Sequence, residues 1–378
     1  MDFAFSDEQE SLRETVRSFL RRHVGAGGVR AAVDEGHHHD PEVWRRMGSE
    51  LGLHGIHLSE QLGGQGWGYL ELAVVCEELG AALAPSPYFA STVLAGTLLA
   101  AAAPSGLDES IAEVGSGGSV ATVAIAEPGH GWDLERIATE AAPSPSSDVV
   151  LLHGTKVAVP YGLVADLILV VAKDSVAGLV VALVESDAEG LSGAWAEGLD
   201  LIEPKASLTF SGTPARVVAS GAAAEAALGR LHDLGNVMLA CEMVGGARAC
   251  LDGAVAYAGQ RRQFERPIAA FQAIKHLCVD MLVEVELATA ASHFAAWTLD
   301  GDDGLERTRT SSMAKVMASE AYLFVADAAL HVYGGIGFTW EHDAHLHLRR
   351  ARSRATVLGT LRSQREAFLR ASGLGAGG

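Results

Sequence analysis

Residues 331–354, "HVYGGIGFTWEHDAHLHLRRARSR", gather His331, His342, His345, His347, Glu341, Asp343, Arg349, Arg350, Arg352, Arg354 and the pair Gly334-Gly335. Such a set could hold a metal, cradle an anion, or form a charged helix face. A metal fits poorly. On a helix His342 and His345 share a face, but His347, five residues from His342, turns away by about 140°. No second cluster shows ligand spacing, and His37–His39 read as a solvated loop, so no metal ligands are expected. Glu341 and His345 read as an i, i+4 contact, and the arginines as a solvated or interface-facing stripe. Arg261 stands in "QRRQFERP". Alone it is a solvated helix end. Gly334-Gly335 supply either close backbone approach or a helix cap.

The elements that must position these residues fall into three zones. At 378 residues the chain exceeds one core, so two or three domains are expected. Residues 1–115 alternate helical patterns with Gly and Pro. Ser6 and Gln9 form a capping box, while Asp40 and Pro41 suit a helix start. "GSGGS" (115–119) reads as a flexible joint. Residues 116–222 change to short β-rich runs ("VATVAIA", "VVLLHGTKVAV", "DLILVVAK", "AGLVVALVE", "ASLTF"), as in a small barrel or sandwich. In 223–378 helical periodicity returns. Leu231, Leu234, Met238, Cys241 and Gly245 share one face; Ile274, Leu277, Cys278, Met281, Leu282 and Val285 share another. Ala314, Ala318, Ala321, Val325 and Ala328 make a third, and a four-helix bundle follows. The fold class is thus α+β multidomain.

The net charge of −19 argues against nucleic acid as partner. No apolar run approaches a membrane span, and the first 20 residues do not resemble a secretory leader. Four cysteines without C-x-x-C pairing fit reduced core thiols and a cytoplasmic protein.

Several motifs, in order, resemble the acyl-CoA dehydrogenase family. "LSEQLGGQGWG" (58–68) is similar to its P-E-x-x-G-G-x-G signature, and "AEPGHGWD" (126–133) stands where the family has T-E-P-G-A-G-S-D. "LHGTKVAVPYG" (152–162), "YAGQRRQFERPIAAFQ" (257–272) and "HVYGGIGF" (331–338) complete the series. The resemblance spans nearly the whole chain. It implies α,β-desaturation of an acyl-CoA thioester: a carboxylate takes the α-proton and a β-hydride passes to FAD. Electron-transfer flavoprotein would accept the electrons. It also implies that FAD crosses a subunit boundary, with its ring held by one chain and its ADP half by the neighbour.

The neighbour-facing positions match the family at Arg261, Gln263, Phe264, Gln272, Gly334 and Gly335; Glu265 replaces a usual glycine and His331 a glutamine. The ring-facing positions depart from it. Ala126 replaces a threonine, Trp132 a serine, Ala158 a tryptophan, and Pro160 a threonine. The family's base, 24 residues after the first glycine of the pair, falls on Leu358 in "VLGTLRSQ", and its alternative first-helix position falls on Gly235. Leucine cannot accept a proton, so no catalytic residue is assigned. Glu242, the nearest carboxylate, lies two turns from Gly235, about 10 Å along the helix, and is a poor candidate.

The resemblance therefore implies a non-catalytic chain. Homologous, base-bearing chains partner such subunits in actinobacterial sterol side-chain acyl-CoA dehydrogenases, here expected as a heterotetramer. Two alternatives stay open: a self-sufficient dehydrogenase with a relocated base, and a non-enzymatic acyl-CoA-binding scaffold.

Overall fold

The computed structural model describes residues 5–36, 39–102, 107–144, 148–301 and 303–374; His37 and His38 of the histidine tract, and Asp302, lie outside them. The N-terminal part is helical: α1 (Asp7–His23), α2 (Gly25–Asp34), α3 (Pro41–Ser49), α4 (Tyr69–Ala81), a π-helical stretch Phe89–Gly96 running into α5 (Thr97–Ala102), and α6 (Asp108–Ser116). Both halves of the Ser6–Gln9 capping box form. Asp40 Oδ1 accepts from the backbone N–H groups of Glu42 and Val43, and Pro41 opens α3.

"GSGGS" is not a flexible joint. Gly115 and Ser116 finish α6, and Gly117 caps it at φ 78°. A Cβ on Gly117 would sit 2.1 Å from the His54 ring, and the Trp44 indole donates to its carbonyl. The glycines here serve close packing.

Strands β1 (Ala121–Ala124), β2 (Glu140–Pro143), β3 (Val149–Pro160), β4 (Leu167–Asp174), β5 (Gly178–Glu185), β6 (Leu191–Ala196) and β7 (Lys205–Ser220) follow. The pairings β4–β5, β5–β7, β7–β3, β3–β2 and β2–β4 close into a ring, which leaves no free edge along that path. β1 lies parallel to β4, and β6 adds to β7 outside the ring. Alternation of apolar residues finds five strands but misses β2 and β6. Those two are short, and most of β6 is exposed.

The C-terminal helices are α7 (Gly221–Gln260), α8 (Gln272–Thr298), α9 (Gly304–Tyr333), α10 (Ala344–Arg354) and α11 (Leu361–Ala371), with the hairpin β8 (Arg262–Gln263) and β9 (Arg266–Pro267) between α7 and α8. The faces expected on α7 and α9 are buried. On α8 the buried line is Met281, Val285, Ala288 and Ala295, whereas Leu282 is on the outer side at 42% exposure. The helix from Gly304 is long and apolar enough to cross a membrane; here its small-residue face is core of the bundle.

The N-terminal helices are keyed to the bundle where α4 crosses α7. A Cβ on Gly80 would lie 1.9 Å from the Glu242 carbonyl oxygen, and one on Gly245 equally close to that of Glu77. Each helix therefore needs glycine where the other's backbone passes.

Candidate functional site

The two positions where the resembled family can carry its base meet in space. A Cβ on Gly235 of α7 would stand 2.6 Å from Leu358 Cδ1 and 2.9 Å from Leu94 Cδ2. Leu358 and Leu94 are buried, so this wall is a closed apolar contact. The α10–α11 connection holds Leu358 at φ 57°, a left-handed conformation costing a non-glycine residue roughly 1–2 kcal/mol. Its carbonyl accepts from Gln364 Nε2 at 2.8 Å and pairs with His232 Nε2 at 3.0 Å. Asn236 bridges the same His232 and Gln364. Buried hydrogen bonds hold the strained loop.

Glu242 does not reach this wall as a free carboxylate. Its Oε1 accepts from Arg350 Nη1 and Arg354 Nε, both at 2.9 Å. Arg350 also pairs with Asp200, and Arg354 with Glu203. All five side chains are buried, and Lys315 Nζ donates to the Arg354 carbonyl. Burial pushes the Lys315 amine down to about 7, assisted by the Arg354 charge and opposed by Glu242. Burial alone would raise the Asp200 carboxyl, but Arg350 and Arg354 hold it below its usual range. Glu242 is thus a neutralised structural anion. Arg350 and Arg354, expected on a solvated stripe, are core residues, because Asp200 and Glu203 come from the loop before β7.

The rest of the 331–354 cluster is also structural. α10 begins at Ala344, so His342 precedes the helix and shares no helical face with His345. His342 Nδ1 accepts from the Ala344 N–H. His345 stacks on Trp340 and bonds its carbonyl rather than Glu341. His347 is paired with the Tyr322 hydroxyl at 2.9 Å, and burial pushes its imidazole down to about 3. Arg30 of α2 clamps the segment by bonding the Trp340 carbonyl and Asp343, while the Trp340 indole donates to Asp34. Among the described residues no group of three or more His, Cys, Asp or Glu is placed to hold a metal.

On the ring-facing side, Ala126 is buried and its carbonyl accepts from the Val157 N–H at 2.8 Å. Glu127 accepts from the Ala138 and Thr139 N–H groups, the Thr139 hydroxyl and Lys156 Nζ. Burial alone would raise this carboxyl, yet those donors hold it low. Ala158 (φ 52°) and Tyr161 (φ 53°) bracket a left-handed kink, and the Pro160 carbonyl accepts from the Thr122 hydroxyl. At these positions the chain carries methyl groups and a proline without an N–H. It has neither an aromatic face at Ala158 nor a hydroxyl at Ala126 for a flavin ring, and in this chain the ring half does not fit.

The other set clusters at one end of the bundle. Arg261 ends α7, with its N–H on the Tyr257 carbonyl. Gln263 and Phe264 follow in the β8–β9 hairpin, Gln272 opens α8, and all four side chains are exposed. Tyr257 packs edge-on against Tyr333 at 5.1 Å, which brings Gly334-Gly335 beside the end of α7. Gly334 has φ 65° and ψ −142°, a region open essentially to glycine alone. A Cβ on either glycine would meet nothing within 4 Å, so the approach is open from outside. Phe264 and Glu265 turn the hairpin at φ 51° and 65°. That backbone explains why glycine suits position 265: the glutamate is strained there. The exposed arginine and open glycines fit the ADP half of FAD.

Sequence reasoning missed Asp200, Glu203, His232, Asn236, Gln364 and the burial of Lys315. Lys315 alone left a signal, as a cation beside the small-residue face of α9.

Two family models match the chain: the acyl-CoA dehydrogenase N-terminal domain over residues 6–106 and the C-terminal domain over 225–373. An acyl-CoA dehydrogenase, IpdE2, from Mycolicibacterium smegmatis is 30% identical, covering 95% of this chain and 97% of its own. A steroid acyl-CoA dehydrogenase variant, Tcur3481-Tcur3483, superposes with a TM-score of 0.89 at 28% identity, over 98% of this chain and 99% of the other. A chain of the ChsE4-ChsE5 complex from Mycobacterium tuberculosis gives 0.88 at 28% identity, over 99% of each chain.

Proposed function

Because the chain belongs to the acyl-CoA dehydrogenase family, we propose that it is the non-catalytic subunit of a heteromeric FAD-dependent enzyme. A homologous, base-bearing chain desaturates the acyl-CoA, and this chain completes that partner's cofactor site. The observation that carries the reading is the Leu358–Gly235 contact. Both positions suited to a base are uncharged and packed together, and Glu242 is held by two arginines.

In that assembly Arg261 meets the pyrophosphate, Gln272 the adenine side, and Gly334-Gly335 admit the cofactor's ADP half without a Cβ in the way. Gln263 and Phe264 border the same approach. When bound, FAD supplies the acceptor for the substrate's β-hydride. The partner provides the ring pocket and the α-proton base, and electron-transfer flavoprotein takes the electrons. The two unlike chains assemble as a heterotetramer.

The test is co-expression with a homologous chain that bears a glutamate at the position of Leu358, followed by flavin quantitation. The expected result is about one FAD per unlike pair and almost none on this chain alone. A yellow homo-oligomer with desaturase activity would sink the proposal.

A further inference from the structure

Residues 334–343 join α9 to α10 and carry the bare glycines of the nucleotide-facing end. The segment is one 3-10 turn, Gly334–Phe338, followed by bends and turns. Its own contacts hold it lightly. The Thr339 N–H and hydroxyl both bond the Ile336 carbonyl, and Gly337 sits against Tyr333 and Leu330 of α9, where a Cβ would come within 3.0–3.2 Å of their side chains. Ile336, Phe338 and Trp340 stay 49–69% exposed, so packing fixes the turn on one side only.

The stronger hold comes from α2, which lies 306–310 residues earlier at the bonded positions. Arg30 Nη1 donates to the Trp340 carbonyl at 2.6 Å, and Arg30 Nη2 pairs with Asp343 at 2.6 Å. Asp34 Oδ1 accepts from the Trp340 indole at 2.8 Å, and that indole stacks on His345. Among the described residues, these are the only hydrogen bonds or ion pairs that reach 334–343 from outside α9 and α10. Arg30 and Asp34 stand at i and i+4, a spacing that suits a pair within the helix. Both reach across to the segment instead.

Helix α2 is itself anchored. Val29 and Ala32 are buried, and Val29 packs with Leu83 after α4, Ile202 before β7 and Leu346 of α10 in a small separate core. We infer that α2 latches the α9–α10 segment: Arg30 and Asp34 are positioning residues that set Gly334-Gly335 for the cofactor's ADP half without touching it. This rests on the partner-subunit reading and names the residues that ready its nucleotide end. A segment already held in place leaves less ordering to be done when the cofactor arrives.

The test uses the heteromer with a homologous chain that bears a glutamate at the position of Leu358, and follows flavin release by fluorescence on dilution. Residues off a site shift its affinity by roughly 2- to 30-fold, so Arg30→Ala and Asp34→Leu should release FAD faster within that range. Arg30→Lys, a point charge in place of a fork, should fall between Arg30→Ala and wild type. Asp34→Asn still accepts from the indole and should match wild type. Thermal unfolding of the isolated chain should barely move, because partly exposed pairs contribute little to stability. Should Arg30→Ala or Asp34→Leu misfold, Trp340→Phe keeps a ring on His345, removes only the indole N–H, and should release FAD faster in the same way.

Wild-type flavin retention in Arg30→Ala and Trp340→Phe overturns the latch and leaves the partner role standing. Flavin loss as large in Asp34→Asn as in Asp34→Leu overturns it too. A wild-type pair that takes up no FAD defeats the partner role instead. The latch can then still be read in the isolated chain, where Arg30→Ala should speed amide exchange at residues 335–343 and leave the α4–α7 crossing unchanged. Unaltered exchange in that segment overturns the inference without reference to any cofactor.

Discussion

Two parts of the bundle hold their residues in opposite ways. At the Arg261–Gly334 end, polar side chains and bare backbone face outward, and the Arg261 guanidinium has no partner among the described residues. At the Leu358–Gly235 wall, apolar side chains close on one another and every polar atom of the loop's support is bonded within the chain. Both regions carry strained backbone, at Phe264 and Glu265 in one and Leu358 in the other. In the first, strain shapes a surface that contributes little to this chain's own stability. In the second, packing and hydrogen bonds absorb it. Stability and flavin occupancy should therefore respond to different residues.

The largest test is Glu242→Leu. It removes the carboxylate that Arg350 and Arg354 share, leaving each with only Asp200 or Glu203, and each lost hydrogen bond between charged groups costs about 1.5–3 kcal/mol. Thermal unfolding should move well down, while Glu242→Gln in an assembled heteromer should leave turnover per bound flavin near wild type. The opposite pattern, stable protein and lost turnover, would make Glu242 the relocated base and erase the contrast.

Arg261→Ala should do the reverse. Hydrogen bonds to charged groups are worth about 1.5–3 kcal/mol, so FAD should leave the heteromer ~10–100-fold more readily. The melting temperature of the isolated chain should barely change, since exposed substitutions stay within about 0.5 kcal/mol. Flavin fluorescence on dilution reads the first quantity and calorimetry the second.

Acid should weaken the folded chain through its buried histidines. His347 is buried and held neutral, with its folded value near 3 against an ordinary 6.5. Between those values the unfolded chain binds the extra proton, so stability falls as pH falls through 6.5 and stops falling below about 3. From pH 7 to pH 5 this one group should remove about 2 kcal/mol. His347→Gln should flatten that part of the stability profile, measured by urea titration at each pH.

The smallest effect belongs to Glu265→Gly. Releasing a left-handed glutamate should stabilise the hairpin by ~1 kcal/mol and leave FAD retention unchanged or slightly improved. A clear loss of flavin would show that the Glu265 side chain takes part in the site.

What the sequence made legible was local or periodic. The buried faces of α7 and α9 follow from apolar spacing, and the capping box and the Asp40-Pro41 start from a few adjacent residues. The meeting of Leu358 with Gly235 was approachable through motif spacing, because each was counted from its own landmark. The burial of Arg350 and Arg354 was not, because their partners Asp200 and Glu203 lie some 150 residues away and nothing near the arginines announces them. "GSGGS" misled for a related reason. Glycine permits both freedom and close contact, and only the arrival of His54 decides between them. Leu282 was assigned to the wrong side of α8 because a helix with two apolar faces gives periodicity no direction.

The crossing of α4 and α7 also bears on motion. With Gly80 seated on the Glu242 backbone and Gly245 on that of Glu77, neither helix can slide along the other without driving a carbonyl into a neighbouring side chain. Shear between the N-terminal helices and the bundle is blocked at this joint. Breathing that admits cofactor or partner is left to the hairpin, the α9–α10 segment and the β ring. Amides of α4 and of the middle of α7 should exchange with solvent together, and last.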